Sequence, residues 1–196
     1  MKLTVSVNLG GYSFNIDEDA YSELKRYIKS LERHFAAEES CSEIIADIET
    51  RISEIFRNKI TAYRQVITIE DVHEVMSIMG TPEDISEDEK KSTKEKFSSP
   101  GYHRMYRDTD NRIIGGVCAG IGAYWNIDPL IVRIIFAALT LAGGLGVMIY
   151  LILYIALPEA RTTAQKIEME GNPVNIHNIK DAVKKEFDEV RRKMKL

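Results

Sequence analysis

The chain has 196 residues, of which 44% are hydrophobic and 29% are charged, and this composition is typical of a globular protein with one or two domains. The formal net charge of −4 argues against a protein that binds nucleic acid through bulk positive charge. Two cysteines, Cys41 and Cys118, are too few for a disulfide scaffold, and no zinc, phosphate-loop or nucleophile-elbow motif is present. We therefore expect a protein that is not an enzyme and has no catalytic residues, bound metal or cofactor.

The chain divides into three segments that differ in net charge and in glycine content. Residues 1–100 carry a net charge of −7, residues 101–157 one of +1 and residues 158–196 one of +2. Eight of the 12 glycines fall in the middle segment, which also contains the longest apolar stretch. The expected domains are an acidic soluble interaction domain over 1–86, a linker over 87–106, a membrane domain over 107–159 and a tail over 160–196.

The acidic segment is expected to form a small α+β domain with a β-hairpin and three helices. Alternating residues on both sides of Gly10 and Gly11 predict the hairpin. Apolar residues spaced three and four apart then predict one helix that ends near Phe35 and a second around residues 45–56. A capping-box pattern at Thr68–Asp71 predicts the start of the third helix. Most acidic side chains fall opposite the apolar faces, which indicates a solvated surface and not a metal site.

The middle segment contains 24 consecutive residues without a charge, from Ile134 to Leu157. About 20 apolar residues are enough for a helix to cross the hydrocarbon core of a bilayer. Asp128 followed by Pro129 is typical of a helix start. We therefore expect a mostly α-helical membrane protein with one kinked span over about residues 130–157.

Two other structures fit the same apolar stretch. The first is a buried helix in a soluble core, and the second is a re-entrant hairpin that turns between Gly143 and Gly146. Small residues at four-residue spacing would give a kinked span a surface for another helix, and these residues are Ala138, Ala142 and Gly146.

Three sequence elements occur in a fixed order around this stretch: GGVCAGIGAYW from Gly115 to Trp125, IDPLIVR from Ile127 to Arg133, and a glycine-interrupted apolar segment that ends in LPE. Together they make residues 107–159 resemble a PspC (phage shock protein C) domain. The positions that match the family motif are Arg112, Gly115, Gly116, Gly120, Tyr124, Asp128, Pro129, Arg133, Gly143, Gly144 and Pro158.

The resemblance implies a component of a bacterial envelope-stress response in the cytoplasmic (inner) membrane. It implies a regulator that acts through protein contacts and not through chemistry. The expected partners are the lipid bilayer, other membrane or peripheral regulatory proteins and a second copy of the chain, but not nucleic acid. The alternative function is a structural membrane scaffold that localises or stabilises a complex without signalling.

The segments on either side of the membrane domain also carry patterns. Residues 47–56 and 67–85 resemble small helical signalling modules of the HAAS type, and residues 102–107 (YHRMYR) resemble an interfacial anchor. In the tail, Asn178 is expected to cap an amphipathic helix over 178–195. Its apolar face could bind a partner, and the residues of this face are Val183, Phe187, Val190 and Met194.

The orientation in the membrane depends on the form of the apolar segment. The N-terminal domain is expected in the cytoplasm because the N-terminus shows no signal-peptide pattern. A single crossing would place the tail on the opposite side of the membrane, whereas a hairpin would keep both ends on one side.

Overall fold

The computed structural model describes residues 3–61, 63–82 and 103–194, and these residues fall into two compact units. The first unit combines the described residues before 97 with those from Val174 onward. The second unit covers the described residues from 103 to Pro173. The predicted linker lies outside the described residues as far as residue 102. The tail expected over 160–196 is therefore divided between the two units.

The first unit begins with a β-hairpin, because two glycines allow the chain to reverse tightly. Strands β1 (Thr4–Leu9) and β2 (Tyr12–Asp17) pair antiparallel, with Leu9 opposite Tyr12. Between them Gly10 and Gly11 have φ of 56° and 81°, a backbone conformation that glycine adopts without steric cost. The strand β3 (Val66–Ile67) adds to β2 in parallel, and the sequence did not predict it.

Among the described residues between 18 and 79 the chain forms three helices, as their apolar spacing predicts. They are α1 (Glu18–Phe35), α2 (Cys41–Lys59) and α3 (Ile69–Met79). The predicted capping box is present, because the Asp71 carboxylate accepts a hydrogen bond from the Thr68 backbone N–H at 3.0 Å. The buried side chains form a single apolar face on each helix, which includes Leu31, Ile52 and Val75.

The described residues of the second unit form four helices. They are α4 (Val117–Trp125), α5 (Pro129–Leu141), α6 (Leu145–Ala156) and α7 (Thr163–Met169). Val117, Ile121 and Val132 form one of its buried apolar clusters, with Phe136, Tyr150 and Leu153 packed around them.

Instead of one kinked helix over residues 130–157, the chain forms the antiparallel pair α5 and α6. Gly143 and Gly144 have φ of 150° and 76°, and these positive values let the chain reverse between the two helices. In the part of the chain that the structure describes, no helix is both long and apolar enough to span a bilayer.

The last helix, α8 (Ile176–Met194), belongs to the first unit. It begins two residues before the predicted start, because Asn175 and not Asn178 provides the cap. The Asn175 side-chain oxygen accepts a hydrogen bond from the Asn178 backbone N–H at 2.9 Å. The helix packs against α2 and buries Ile176, Ile179 and Val183. The expected mostly helical chain with a small N-terminal sheet is confirmed.

Candidate functional site

The α5–α6 hairpin, defined here as residues 129–156, exposes an unusual amount of apolar side chain. At its tip Leu141 is 89% exposed and Leu145 is 59% exposed. Soluble proteins seldom expose large contiguous apolar patches, and such patches mark interaction sites. The exposed large apolar residues of this hairpin are Leu130, Ile131, Ile134, Ile135, Leu139, Leu141, Leu145, Val147, Met148, Ile149, Leu151, Ile152, Tyr154 and Ile155.

The exposure is not limited to one face of either helix. From Ile134 to Ala156 only Gly146 is buried, and Phe136, Tyr150 and Leu153 are half-buried. No residue in this range carries a charge. The hairpin therefore presents apolar surface on nearly all sides beyond its own helix–helix contact.

Close packing at one glycine holds the two helices of the hairpin together. A Cβ at Gly146 would lie 2.5 Å from the Phe136 carbonyl oxygen, so only glycine allows this approach. The rings of Phe136 and Tyr150 also meet edge to face, with centroids 5.9 Å apart. At the start of α5, the Asp128 carboxylate accepts a hydrogen bond from the Leu130 backbone N–H at 2.8 Å, and Pro129 occupies the first turn.

The base of the hairpin is closed by main-chain hydrogen bonds between the segment that precedes it and the segment that follows it. The Arg107 backbone N–H donates to the Pro158 carbonyl at 2.8 Å, and the Ala160 N–H donates to the Arg107 carbonyl at 3.0 Å. The two ends of the apolar segment are therefore held next to each other.

The Arg107 side chain reinforces this closure. Its guanidinium donates from Nε to the Leu157 carbonyl at 3.0 Å and from Nη2 to Glu159 Oε1 at 3.1 Å. It also lies 4.2 Å from the centroid of the Tyr154 ring. No sequence pattern indicated this role for Arg107. The available signal was an arginine before the motif and a glutamate after it, but sequence spacing alone does not pair residues so far apart.

The motif glycines mark places where the second unit packs its own backbone closely. A Cβ at Gly120 would overlap the Tyr106 carbonyl, and a Cβ at Gly116 would overlap the Asp108 carbonyl. A Cβ at Gly115 would lie 2.5 Å from the Tyr154 ring, and its N–H donates to the Tyr150 hydroxyl at 2.9 Å. The spacing of Gly116 and Gly120 therefore accommodates residues 106–108 of the same chain.

Basic and aromatic side chains surround the base of the hairpin. Arg133 donates to the Asn111 carbonyl at 2.9 Å, and Arg112 and Trp125 are exposed. Tyr124 stacks on His103 with ring centroids 4.0 Å apart. Of the predicted anchor at 102–107, Tyr102 lies outside the described residues.

One buried polar pair lies beneath this base. The Tyr106 hydroxyl donates to Glu168 Oε2 at 3.0 Å. Burial, followed by the nearby Glu168 carboxylate, raises the pKa of Tyr106, so the hydroxyl keeps its proton and acts as a donor. Among the described residues no three His, Cys, Asp or Glu side chains form a group that could hold a metal ion.

The small residues expected to share one helix face lie on different elements. Ala138 is in α5, Ala142 is the residue that ends it, and Gly146 is in α6. Because the chain reverses between Ala142 and Gly146, the four-residue spacing no longer places the three residues on one surface.

The tail face contacts the chain itself along its first half. Val183 is buried and Phe187 is half-buried, whereas Val190 and Met194 are exposed. The Glu38 carboxylate lies 3.1 Å from Lys184 Nζ. Thus α8 packs against α2 within the first unit.

The fold and the hairpin define the second unit as a small helical domain that presents an apolar surface to its surroundings. Residues 103–160 match the family model described as the PspC domain, so the predicted resemblance is confirmed and the chain carries a PspC domain. This family is regulatory and non-enzymatic, is generally membrane-associated and is linked to the phage shock stress response.

The rest of the chain is not covered by that match. No curated protein and no solved structure shows significant similarity to the chain. The HAAS-type resemblance of residues 47–56 and 67–85 stays a prediction, and its last residues, 83–85, lie outside the described residues.

Proposed function

We propose that this protein is a non-enzymatic regulator of a bacterial membrane-stress response, anchored to the cytoplasmic membrane by the α5–α6 hairpin. The observation that carries the proposal is the exposure of large apolar side chains on nearly all sides of this hairpin. Each square ångström of apolar surface removed from water contributes about 25 cal/mol. An environment that surrounds the whole hairpin would therefore stabilise it strongly.

Lipid fits this surface better than a single protein partner does. A protein partner covers one face of a helix, whereas acyl chains surround the helix pair. The 13 residues of α5 and the 12 of α6 give lengths of about 20 and 18 Å. Each arm is shorter than a hydrocarbon core that is about 30 Å thick, so the tip of an inserted hairpin would lie inside this core.

The residues around the base suit the headgroup region. Arg112, Arg133 and Trp125 lie close in sequence to the start of α5, before the uncharged segment begins. Tryptophan is enriched at membrane interfaces, and arginine is attracted to anionic lipids. The last charged residue before the uncharged segment therefore lies where the hairpin would leave the hydrocarbon core.

The regulatory role is assigned to contacts made by the first unit. Residues 1–100 of the chain carry a net charge of −7, and the first unit contains the helices that resemble signalling modules. We propose that its surface binds other membrane or peripheral regulatory proteins from the cytoplasmic side. A scaffold without signalling would keep the same co-purified partners after the membrane potential is collapsed, whereas a regulator would change them.

Vesicle flotation with charged variants tests the anchor. In Leu141→Lys/Leu145→Lys both substitutions lie at exposed positions of the hairpin tip. A lysine at the membrane centre costs about 2.5–3.5 kcal/mol, so the double variant should lose most of its binding to phospholipid vesicles.

The matched control places the same charges elsewhere. Val190→Lys/Met194→Lys also replaces two exposed apolar residues, but on α8. This control should float like the unsubstituted protein, and circular dichroism should show that both variants remain folded. Equal flotation of all three proteins would contradict the proposed anchor.

A further inference from the structure

We infer that the α5–α6 hairpin is re-entrant: it enters and leaves the bilayer through the same leaflet, with its tip inside the hydrocarbon. The parts of the chain before and after the hairpin then lie on one side of the membrane. This inference rests on the proposed function, because it requires the hairpin to be in lipid.

The first support is the closed base of the hairpin. Arg107 precedes the apolar segment and Pro158 follows it, yet their main chains form a hydrogen bond of 2.8 Å. A second hydrogen bond of 3.0 Å joins Arg107 to Ala160. A single crossing would separate these residues by the thickness of the hydrocarbon core, about 30 Å, and would break both bonds.

The second support comes from the first unit and does not depend on the hairpin. Helix α2 precedes the membrane domain and α8 follows it, but α8 packs against α2 and buries Ile179 and Val183. Glu38 pairs with Lys184 and Glu39 with Arg191, each at 3.1 Å. The unit keeps these contacts only if residues before and after the hairpin share one compartment.

The third support is the chemistry of the tip. Leu141 and Leu145 flank the turn and are exposed, so the tip would expose apolar side chains to water if it emerged on the far side. Within the turn, the N–H groups of Ala142 and Gly144 donate to the carbonyls of Ala138 and Thr140 at 2.9 and 2.8 Å. Backbone donors satisfied in this way are what hydrocarbon requires.

Thiol labelling tests the topology in the full chain. Cys41→Ser and Cys118→Ala remove the native thiols. Single cysteines are then placed at three exposed positions: Ser22→Cys on α1, Glu189→Cys on α8 and Ala142→Cys at the tip. A membrane-impermeant maleimide is applied to sealed right-side-out and inverted vesicles from expressing bacteria, with and without detergent.

The expected result is a common pattern for the two flanking positions. Ser22→Cys and Glu189→Cys should both be labelled in one vesicle orientation, and both should stay unlabelled in the opposite orientation. Ala142→Cys should label in neither orientation until detergent is added. Labelling of residues 22 and 189 from opposite sides would overturn the inference, and so would labelling of residue 142 from the side opposite to residue 22.

Alkaline carbonate extraction of the same vesicles distinguishes a wrong topology from the absence of a membrane anchor. A protein that resists extraction but labels on opposite sides is anchored with another topology, so only this inference fails. A protein that is washed off by carbonate, with all three cysteines labelled without detergent, contradicts the proposed anchor and this inference together.

Discussion

The guanidinium of Arg107 lies 4.2 Å from the centroid of the Tyr154 ring, and this contact joins the start of the PspC domain to the last turns of its apolar hairpin. The same guanidinium bonds the Leu157 carbonyl and the Glu159 carboxylate. Arg107 therefore joins the segment that precedes the hairpin to the segment that follows it, at the place where both would meet the membrane surface.

Replacing Arg107 by alanine should loosen the base of the hairpin. Charged hydrogen bonds contribute about 1.5–3 kcal/mol and a partly desolvated cation–π contact about 0.5–2 kcal/mol, so the local opening free energy should fall by about 2–4 kcal/mol. Hydrogen exchange of residues 150–160 measures this opening. Arg112→Ala, which replaces an exposed arginine nearby, should leave the exchange unchanged. Equal exchange in both variants would show that Arg107 does not hold the base closed.

Gly120→Ala should destabilise the second unit, although alanine normally favours a helix by about 1 kcal/mol over glycine. The reason is that the added Cβ would overlap the Tyr106 carbonyl, and overpacking costs about 1–3 kcal/mol. Thermal unfolding followed by tyrosine and tryptophan fluorescence measures the change. Cys118→Ala on the same helix is half-buried and should have a smaller effect. A Gly120→Ala protein more stable than the parent would refute the close contact.

Asp71 should make the first unit sensitive to acid. Burial alone would raise the pKa of this carboxyl, but the hydrogen bond from the Thr68 backbone and the Arg64 guanidinium prevail and lower it below 3.8. A carboxyl with a lowered folded pKa stabilises the fold above its unfolded pKa, and this contribution is lost as the pH falls through the folded pKa.

The corresponding variant is Asp71→Asn. It should lose about 1–3 kcal/mol of unfolding free energy at pH 7 and approach the parent protein near pH 3. Urea titrations at several pH values measure the difference, and Glu43→Gln, at an exposed position in the first turn of α2, serves as the control. A penalty that did not change between pH 7 and pH 3 would contradict the role of the charge.

The packing of α8 on the first unit predicts a strong effect at one buried position. Ile179 is fully buried, so Ile179→Ala should lower the stability of the unit by about 2–5 kcal/mol. Met194 is 76% exposed, and Met194→Ala should change stability by less than about 0.5 kcal/mol. Urea unfolding followed by circular dichroism compares them. Similar small effects in both would show that α8 is not part of the unit.

Sequence patterns predicted the structural elements that depend on interactions between neighbouring residues. The glycine pair at the first turn, the capping box at Thr68 and the apolar spacing of α1 each depend on neighbouring residues, and the structure shows all three elements. Strand β3 was missed because two residues carry no periodicity, and Val66 forms a strand through its pairing with Asn15 on β2.

The predictions that failed depended on contacts between distant residues. An uncharged run looks the same in sequence whether it kinks or reverses, and the reversal depends on the positive φ of two glycines and on Gly146 packing against Phe136. The pairing of Arg107 with Glu159 likewise has no local signature. For the same reason, no local pattern in the tail indicates that α8 packs on α2.

The depth of the hairpin tip in lipid tests the central claim most directly. In the background without native cysteines, Ala142→Cys is labelled with an environment-sensitive fluorophore and bound to vesicles that contain lipids brominated along the acyl chain. We predict blue-shifted emission that the brominated acyl chains quench and aqueous iodide does not. Emission at the wavelength found in water, with full quenching by iodide, would contradict the insertion of the hairpin into the membrane.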